Sequence, residues 1–325
     1  MLVVSILLPA SGAASRSSVL LVVVDDLGWR DVGFRGSGYN TPNIDALARE
    51  GTVLTGWYVC RVCVPTRTSL VSGRYPWTNG LSAGMIVDGF PSSLPLVAPE
   101  AAGRGRPLLT LAERLRALQY STTAAGKWDV GMERWSRTPT HRGFDNFVGF
   151  YNAGEDHFTH ECGAMFGPPE FSSWMFTDLR NGTAPLAKNG TFSTTLFTQA
   201  AIDGIVGTPM SQPFFVYLAY QAVHTPLQAP ADALERCLGI KNLARRTYCA
   251  MMVGVDDGVG EVMRHVQAVG RANNTITFLT TDNGGTALGA GSNTPLRYDA
   301  KVPQLYTTRC SCDQQFDRFN VLPTP

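Results

Sequence analysis

Three strand-length apolar runs that end in polar residues constrain the fold of this chain more than any other feature. They are VLLVVVDDLGW at residues 19–29, PFFVYLAYQAVHTP at 213–226 and NTITFLTTDNGG at 274–285. Continuous apolar runs are typical of parallel strands buried on both faces, although a short buried helix has the same pattern. Segments with helical spacing lie between the runs: TPNIDALAREG at 41–51, LAERLRALQ at 111–119, AAIDGIVG at 200–207 and MMVGVDDGVGEVMRHVQAVG at 251–270. The alternation predicts an α/β fold with a mostly parallel sheet.

Polar side chains follow each of the three runs where the strand should end. Asp25 and Asp26 follow the first run, His224 the second, and Asp282 with Asn283 the third. In parallel sheets, binding sites lie just beyond the carboxyl ends of the strands. We therefore expect these side chains to meet at one edge of the sheet. An isolated acid at a strand end is usually only solvated, but two pairs on different strands favour a site.

The charge balance argues against two classes of partner. Only 16% of the 325 residues are charged, against roughly 25% in a typical globular protein. The formal net charge of +1 gives no support for nucleic-acid binding or for a polybasic membrane patch. The length suits one large α/β domain or two modest ones.

The first residues predict entry into the secretory pathway. MLVVSILLPASGAAS, residues 1–15, has an apolar run and then small residues, as in a signal peptide, but no basic residue precedes the run. The alternative is a first buried strand, and the run is too short for a stable membrane span. Asn181, Asn189 and Asn273 lie in N-x-[ST] triplets, which are glycosylation acceptors. We expect a lysosomal or extracellular protein.

The seven cysteines leave several interpretations open. Cys60 and Cys63 form a C-x-x-C pair, which suits a redox dithiol, or half of a zinc site completed by Cys310 and Cys312 across a very long intervening segment. Neither interpretation accounts for the residues that follow Cys63 or for the acids at the strand ends.

Two further cysteines favour a disulfide bond. Cys237 and Cys249 flank a short helical segment, so they suit a small disulfide loop in a secreted protein. The pattern assigns no role to Cys162.

A third interpretation of Cys63 uses the surrounding motifs. CVPTR, residues 63–67, fits C-x-P-[ST]-R and is followed by GRYP. The sequence also contains VDDLGWRDVGF, TPNIDALAREG, AAGKWDVG, HRGFDNFVGF, HTPLQAP, TDNGG and GSNTPLR in that order. The set resembles the sulfatase family over residues 19–297, and within it the arylsulfatase B-like members that act on N-acetylgalactosamine 4-sulfate. The resemblance implies an alkaline-phosphatase-like α/β fold.

The resemblance also implies a cofactor and a metal. In the family, the cysteine at position 63 is converted to formylglycine by a formylglycine-generating enzyme. One hydroxyl of its hydrate attacks sulfur, and the other helps to expel sulfate. One Ca²⁺ ion would be held by Asp25, Asp26, residue 63, Asp282 and Asn283, and carboxylate and amide oxygens are the hard ligands that calcium prefers. A thiol sulfur is soft and suits calcium poorly.

Three more residues match family positions for sulfate. Arg67 would hold the formylglycine hydrate, and Lys127 in GKW would contact the ester. His224 in HTP would contact sulfate or act as general acid. The implied substrate is a sulfated glycan, such as a glycosaminoglycan, or an aryl sulfate. His160 in EDHFTHE is a candidate for lining the substrate cleft.

The sequence departs from the family pattern at three places. Asp129 in GKWDVG stands where the family has a histidine, which removes a donor and adds like charge beside the sulfate. Lys301 in PLRYDAK comes one residue later than the family lysine, so it either reaches the site from a loop or matches by coincidence. Residues 301–325 resemble nothing in the family and predict an irregular tail after a catalytic domain at 19–300, with the small C-terminal domain missing. A secreted homologue with impaired or no activity is therefore the alternative function.

Overall fold

A computed structural model describes residues 2–6, 16–82, 94–95, 107–163, 175–286 and 290–296 of the chain. Its strands are β1 (Leu2–Ile6), β2 (Ser18–Val24), β3 (Thr52–Leu54), β4 (Ser121–Lys127), β5 (Asn146–Phe150), β6 (Glu161–Gly163), β7 (Met175–Thr177), β8 (Arg180–Asn181), β9 (Ala184–Pro185), β10 (Phe214–Tyr220) and β11 (Thr275–Thr281). Its α-helices are α1 (Pro42–Glu50), α2 (Cys63–Ser72), α3 (Pro76–Asn79), α4 (Leu111–Ala117), α5 (Ser193–Val206), α6 (Ala231–Glu235) and α7 (Leu243–Ala268). The helical and strand segments expected from sequence periodicity are all present among them.

The sheet is mixed but mostly parallel, as predicted. Its order is β3-β1-β11-β2-β10-β4-β5-β8-β9. The five strands from β11 to β5 run parallel to one another, whereas β1, β3, β8 and β9 pair antiparallel with their neighbours. Strands β6 and β7 form a separate two-stranded sheet. The strands that precede the predicted polar residues, β11, β2 and β10, are direct neighbours.

Helices cover both faces of the sheet, which explains the continuous apolar run in β2. Leu20, Val22 and Val24 pack into one core with residues of α1, α5 and α7. Leu21 and Val23 point the other way, into a second core with residues of α2 and α4. Successive side chains of a strand alternate between faces, so a strand buried on both faces has no polar position.

Residues near the amino terminus form a strand. Leu2–Ile6 pairs antiparallel with β11 on one side and with β3 on the other, and Val3 is buried. This is the alternative that the sequence left open. Removal of residues 1–15 as a signal peptide stays a prediction. Among the described residues, no helix combines the length and the apolar character needed to cross a bilayer.

The predicted disulfide is confirmed. Cys237, just after α6, is bonded to Cys249 in α7, with 6.2 Å between their Cα atoms. The bond ties the short helix to the long one. The tail at 301–325, including Lys301, Cys310 and Cys312, lies outside the described residues, so the predictions about it stay untested.

Candidate active site

The carboxyl ends of four neighbouring parallel strands meet at one edge of the sheet: the three that the sequence predicts and, beside them, β4. Asp25 follows β2 directly and Asp282 follows β11 directly, while Lys127 is the last residue of β4. His224 lies four residues beyond β10, the strand between β2 and β4. Adjacent parallel strands therefore bring together groups that are far apart in sequence.

Acidic and amide side chains are buried together at this edge of the sheet. Asp25, Asp26, Asp282 and Asn283 are all 4% exposed or less. The amide nitrogen of Asn283 donates to Asp26 Oδ1 (2.5 Å), and the backbone N–H of Asp26 donates to Asp282 Oδ1 (3.3 Å). The amide oxygen of Asn283 is buried and has no hydrogen-bond partner among the described residues. Several oxygen ligands thus converge, and one of them has no protein partner there.

Two buried cations lie against these acids. Lys127 Nζ is 2.6 Å from Asp25 Oδ2, and Arg67 Nε is 2.8 Å from Asp282 Oδ2. Arg67 also approaches Asp25 at 3.4 Å. Burial alone would raise the pKa of Asp25, but Lys127, His224 and Arg67 outweigh it and lower the pKa. Burial and the neighbouring charge of Asp25 raise the pKa of Asp282 to about 6.

Helix α2 positions the cysteine and the arginine of the CVPTR motif. Cys63 is its first residue and Arg67 lies four residues later, so the two side chains occupy the same face one turn apart. Cys63 Sγ is 3.7 Å from Asp25 Oδ1. The hydroxyl of Thr66 accepts the backbone N–H of Cys60 (2.8 Å), which holds the preceding loop on the helix.

The environment of Cys63 argues against thiol redox chemistry. Burial, together with the negative charge of Asp25, raises the pKa of the Cys63 thiol well above its ordinary value. A redox dithiol needs a lowered pKa, because the thiolate is the reactive form. The surroundings of Cys63 raise its pKa instead, so they disfavour the thiolate.

His224 lies at the open side of the cluster. Its side chain is 21% exposed, and its Nε2 is 4.0 Å from Asp26 Oδ2. Nδ1 donates to the carbonyl of Thr225 (2.6 Å), since a carbonyl oxygen can only accept. Ligand atoms of Asp25, Cys63 and His224 all lie within 4.8 Å of one another. The Nε2 of His224 is thus the ring nitrogen available to a bound ligand.

Asp129 joins the same cluster in an unusual state. Its side chain is 1% exposed, and Oδ2 is 3.6 Å from Lys127 Nζ. Neither carboxylate oxygen has a hydrogen-bond partner among the described residues. Burial raises the pKa of Asp129 to about 7, although Lys127 and Arg67 oppose the rise. The acid predicted to add like charge is therefore close to its point of half-ionisation at neutral pH.

His157, which no sequence motif singles out, supports His224. His157 is fully buried and donates from Nε2 to the carbonyl of His224 (3.1 Å). Its Nδ1 lies 2.8 Å from the hydroxyl of Ser193. Burial lowers the pKa of His157 to about 4, so the ring is neutral and the tautomer is fixed by its two partners. No periodicity or motif in its segment indicates this contact, which joins residues 67 positions apart.

The expectation for His160 is wrong. Its side chain is buried instead of lining a cleft, with Nδ1 2.8 Å from Glu155 Oε1 and Nε2 3.0 Å from the carbonyl of Thr191. A buried carboxylate needs a hydrogen-bonded partner, and His160 supplies it.

The charge of the cluster suits a divalent cation. The buried carboxylates are Asp25, Asp26, Asp129 and Asp282, against the permanent cations Arg67 and Lys127. Buried charges are normally paired or bound to a metal, and a divalent ion would offset the excess of negative charge, to which Asp129 contributes only in part because its pKa is about 7. The donor set of carboxylate and amide oxygens is the one that calcium prefers. The residues present therefore fit such an ion.

This edge of the sheet combines oxygen ligands for a cation with buried positive charges. The combination is typical of α/β proteins that bind an anionic ester beside a metal ion. Within that class, the chain belongs to the sulfatase family, since the family model named Sulfatase matches residues 17–308. The sheet and its flanking helices confirm the alkaline-phosphatase-like fold of that family.

Individual relatives agree with the family assignment. Arylsulfatase J of Mus musculus is 35% identical over 298 residues, which cover 89% of this chain and 46% of that protein. N-acetylgalactosamine-6-sulfatase of Homo sapiens is 31% identical over 306 residues, covering 88% and 54%. The crystal structure of Ps i-CgsB in complex with k-i-k-neocarrahexaose superposes with a TM-score of 0.76 at 30% identity, covering 88% of this chain and 62% of that one. The chain spans about half the length of the curated relatives.

Proposed function

We propose that the protein is a sulfatase, a sulfuric ester hydrolase in which residue 63 acts as formylglycine beside one calcium ion. The observation that carries this proposal is the position of Cys63. It begins α2 at 3.7 Å from Asp25, with the cations Lys127 and Arg67 against the same acids. A nucleophile at this point faces an anionic ester in a setting that offsets its charge.

The positive side chains have distinct tasks in this proposal. Lys127 and Arg67 attract the sulfate group and stabilise the negative charge that grows in the transition state. Each lies in a buried ion pair, so neither side chain must be ordered when substrate binds. When both of its ring nitrogens carry a proton, His224 gives the one on Nε2 to the leaving oxygen, while Nδ1–H stays on the carbonyl of Thr225. His157 holds the backbone of His224 in place for this step.

The cation and the modified residue complete the chemistry. Asp25, Asp26, Asp282 and Asn283 would hold calcium, which acts as a Lewis acid on the sulfate oxygens. As formylglycine hydrate, formed when water adds to the aldehyde, residue 63 would supply two hydroxyl oxygens on one carbon, which suit a hard cation better than the thiol does. The raised pKa of the Cys63 thiol makes the unmodified residue a poor nucleophile.

The substrate class follows from the relatives. N-acetylgalactosamine-6-sulfatase is named for a sulfated sugar, and Ps i-CgsB was crystallised with a carrahexaose. We infer a sulfated glycosaminoglycan as substrate, and from the sequence resemblance we expect activity on N-acetylgalactosamine 4-sulfate in particular.

Two features support maturation in the secretory pathway, with a lysosomal or extracellular destination. The acceptor asparagines Asn181, Asn189 and Asn273 are all exposed, so glycans can be attached to them. The Cys237–Cys249 disulfide is typical of oxidising compartments. That route also contains the formylglycine-generating enzyme that we expect to modify Cys63.

Asp129 favours a second candidate function, a sulfatase homologue with impaired catalysis. A carboxylate 3.6 Å from Lys127 Nζ competes with sulfate for that ammonium group. When ionised, it also repels the anionic ester. A cost of about 3 kcal/mol in the transition state would lower the rate roughly a hundredfold.

Hydrolysis of 4-nitrophenyl sulfate by protein from secretory cells separates these candidates. We expect wild-type activity that Cys63→Ala abolishes. Arg264→Gln, a control at an exposed position of α7, should leave this activity unchanged. A rise of about tenfold or more in Asp129→His would identify the impaired enzyme. Equal rates for the wild type and Cys63→Ala would overturn the sulfatase proposal.

A further inference from the structure

A cavity of about 320 Å³ is lined by residues that follow β4 and β5 and by residues of the β7–β8 region. Its lining includes Met132, in the segment after β4, and Tyr151, which follows β5 directly. The backbone N–H of Asp129 donates to the carbonyl of Tyr151 (3.2 Å), so one hydrogen bond joins the cavity wall to the cluster. Neighbouring strands lie about 4.8 Å apart, and β5 is the neighbour of the strand that carries Lys127. The cavity is thus one strand away from the sulfate-binding lysine.

Aromatic side chains line the cavity, and one of them, Trp135, presents a flat exposed surface. Trp135 lines it and is 57% exposed, which is a large exposed apolar area for a tryptophan. Tyr151 and Phe176 also line it. The ring of Tyr151 lies under the guanidinium of Arg180, with 4.9 Å between the guanidinium carbon and the ring centroid. Aromatic faces beside a few fixed polar groups are typical of small-molecule sites, and the C–H face of a sugar ring matches them in shape.

The acids at the cavity are already engaged by other groups. Asp178 accepts the backbone N–H groups of Tyr151 (2.7 Å) and Asn152 (2.8 Å), and its other oxygen is 3.3 Å from Arg180 Nε. Glu133 is paired with Arg137 at 3.3 Å. The carboxylates therefore hold the wall together instead of facing a ligand.

The arginines leave positive charge available to a ligand. Arg134 is exposed, and its guanidinium forms no hydrogen bond or ion pair with the described residues. Arg180 is held in place by Asp178, by the carbonyl of Thr183 (3.3 Å from Nη1) and from below by Tyr151. Arginine binds oxyanions in a bidentate manner, so Arg134 suits a sulfate or carboxylate group, and Arg180 lies beside it with part of its guanidinium already engaged.

We propose that this cavity binds a second sulfated sugar unit of the substrate chain, beside the unit whose ester is cleaved. Arg134 and Arg180 contact its anionic group, and Trp135 packs against its ring. The inference rests on the proposed sulfatase function, and it assigns to these residues a preference for sulfated oligosaccharides over small aryl sulfates.

Binding without turnover tests the proposal directly. The probe is a chondroitin sulfate tetrasaccharide, titrated by calorimetry into the full chain carrying Cys63→Ala. We expect Arg134→Gln and Trp135→Ala each to weaken binding about tenfold, with Arg264→Gln as the matched exposed control. A desulfated tetrasaccharide should bind more weakly and be insensitive to Arg134→Gln. No binding of the sulfated probe, or binding unchanged by both substitutions, would overturn the subsite.

Kinetics of the two substrate sizes separate this inference from the proposed function. With Cys63 intact, Arg134→Gln should raise KM for the tetrasaccharide about tenfold and leave kcat/KM for 4-nitrophenyl sulfate within about twofold. If neither substrate is hydrolysed but the tetrasaccharide binds in an Arg134-dependent way, the function fails and the subsite stands. If both are hydrolysed and Arg134→Gln and Trp135→Ala change neither reaction, the function stands and the subsite fails.

Discussion

Asp129 shows how strongly a single buried carboxyl can couple this site to pH. In the folded chain its pKa is raised from 3.8 to about 7 by burial. In the unfolded chain the pKa of this carboxyl returns to its ordinary value of 3.8. Between these two pH values the folded state holds a proton that the unfolded state has released, so the stability of the fold must fall as pH rises through this window.

Asp129→Asn removes this pH dependence and gives the first prediction. The variant and the wild type should have similar free energies of unfolding near pH 4, and the variant should become more stable by about 2–4 kcal/mol at pH 8. Urea denaturation at several pH values in EDTA measures the difference. Asp203→Asn, at an exposed position, is the control and should show no such trend. A constant difference across the range would mean that Asp129 is ionised at all these pH values.

At the residue scale, the sequence predicted which residues lie together better than it predicted the contacts that hold them. The motifs singled out Asp25, Cys63 and Lys127, because carboxylates and a signature cysteine are recognisable as residue types, and the structure brings these three side chains together. They could not locate His157, whose role depends on a contact with the carbonyl of His224 that only the folded chain creates. They also placed His160 in a cleft, whereas burial pairs it with Glu155.

At the scale of elements, the strand ends require close packing of backbones. Gly126 precedes Lys127 in β4, with a φ of +101°. A Cβ atom there would lie 2.0 Å from the carbonyl oxygen of Ala219 in the neighbouring strand β10. Glycine is thus needed both for the backbone conformation and for the approach of the two strands.

Gly126→Ala is therefore expected to destabilise the fold by about 3 kcal/mol or more, because the strands must separate beside Lys127. The midpoint of thermal unfolding and the yield of folded protein measure this effect. Gly239→Ala is the control, since its Cβ would meet no atom within 4 Å, and it should change stability by less than about 1 kcal/mol. Equal effects of the two substitutions would contradict the packing described for β4.

Helix α2 is the element that periodicity could not predict. Its residues are buried on nearly every side, so no amphipathic pattern marks it, and Pro65 lies inside the motif. Proline is tolerated in the first turn, where the backbone N–H has no partner within the helix.

Helix α5 was predicted only from its second half, AAIDGIVG, because the polar and β-branched residues at its start conceal the helical pattern.

At the scale of the whole molecule, the same run pattern that predicted parallel strands also placed the site. Strands buried on both faces have no polar positions until they end, so the polar residues accumulate at the sheet edge. What the sequence could not provide was strand order. The adjacency of β11, β2, β10 and β4 depends on crossovers through helices, and it is this order that sets the acids beside Lys127.

A bound cation should stabilise the entire fold, because the acids that would hold it come from strands distant in sequence. Calcium at a hundredfold excess over its dissociation constant would add about 2.7 kcal/mol. We expect millimolar calcium to raise the unfolding midpoint by about 5 °C relative to EDTA. Asp26→Asn should reduce this shift, whereas Asp257→Asn on the exposed surface of α7 should not. The same midpoint with and without calcium in the wild type would refute the metal site.

Conversion of Cys63 to formylglycine is the step on which the proposed sulfatase chemistry depends, and mass spectrometry of one peptide detects it. Trypsin releases VCVPTR, residues 62–67, from protein made in secretory cells. We expect a mass in which an aldehyde replaces the Cys63 thiol. An unmodified cysteine, in cells that convert a control sulfatase, would contradict it.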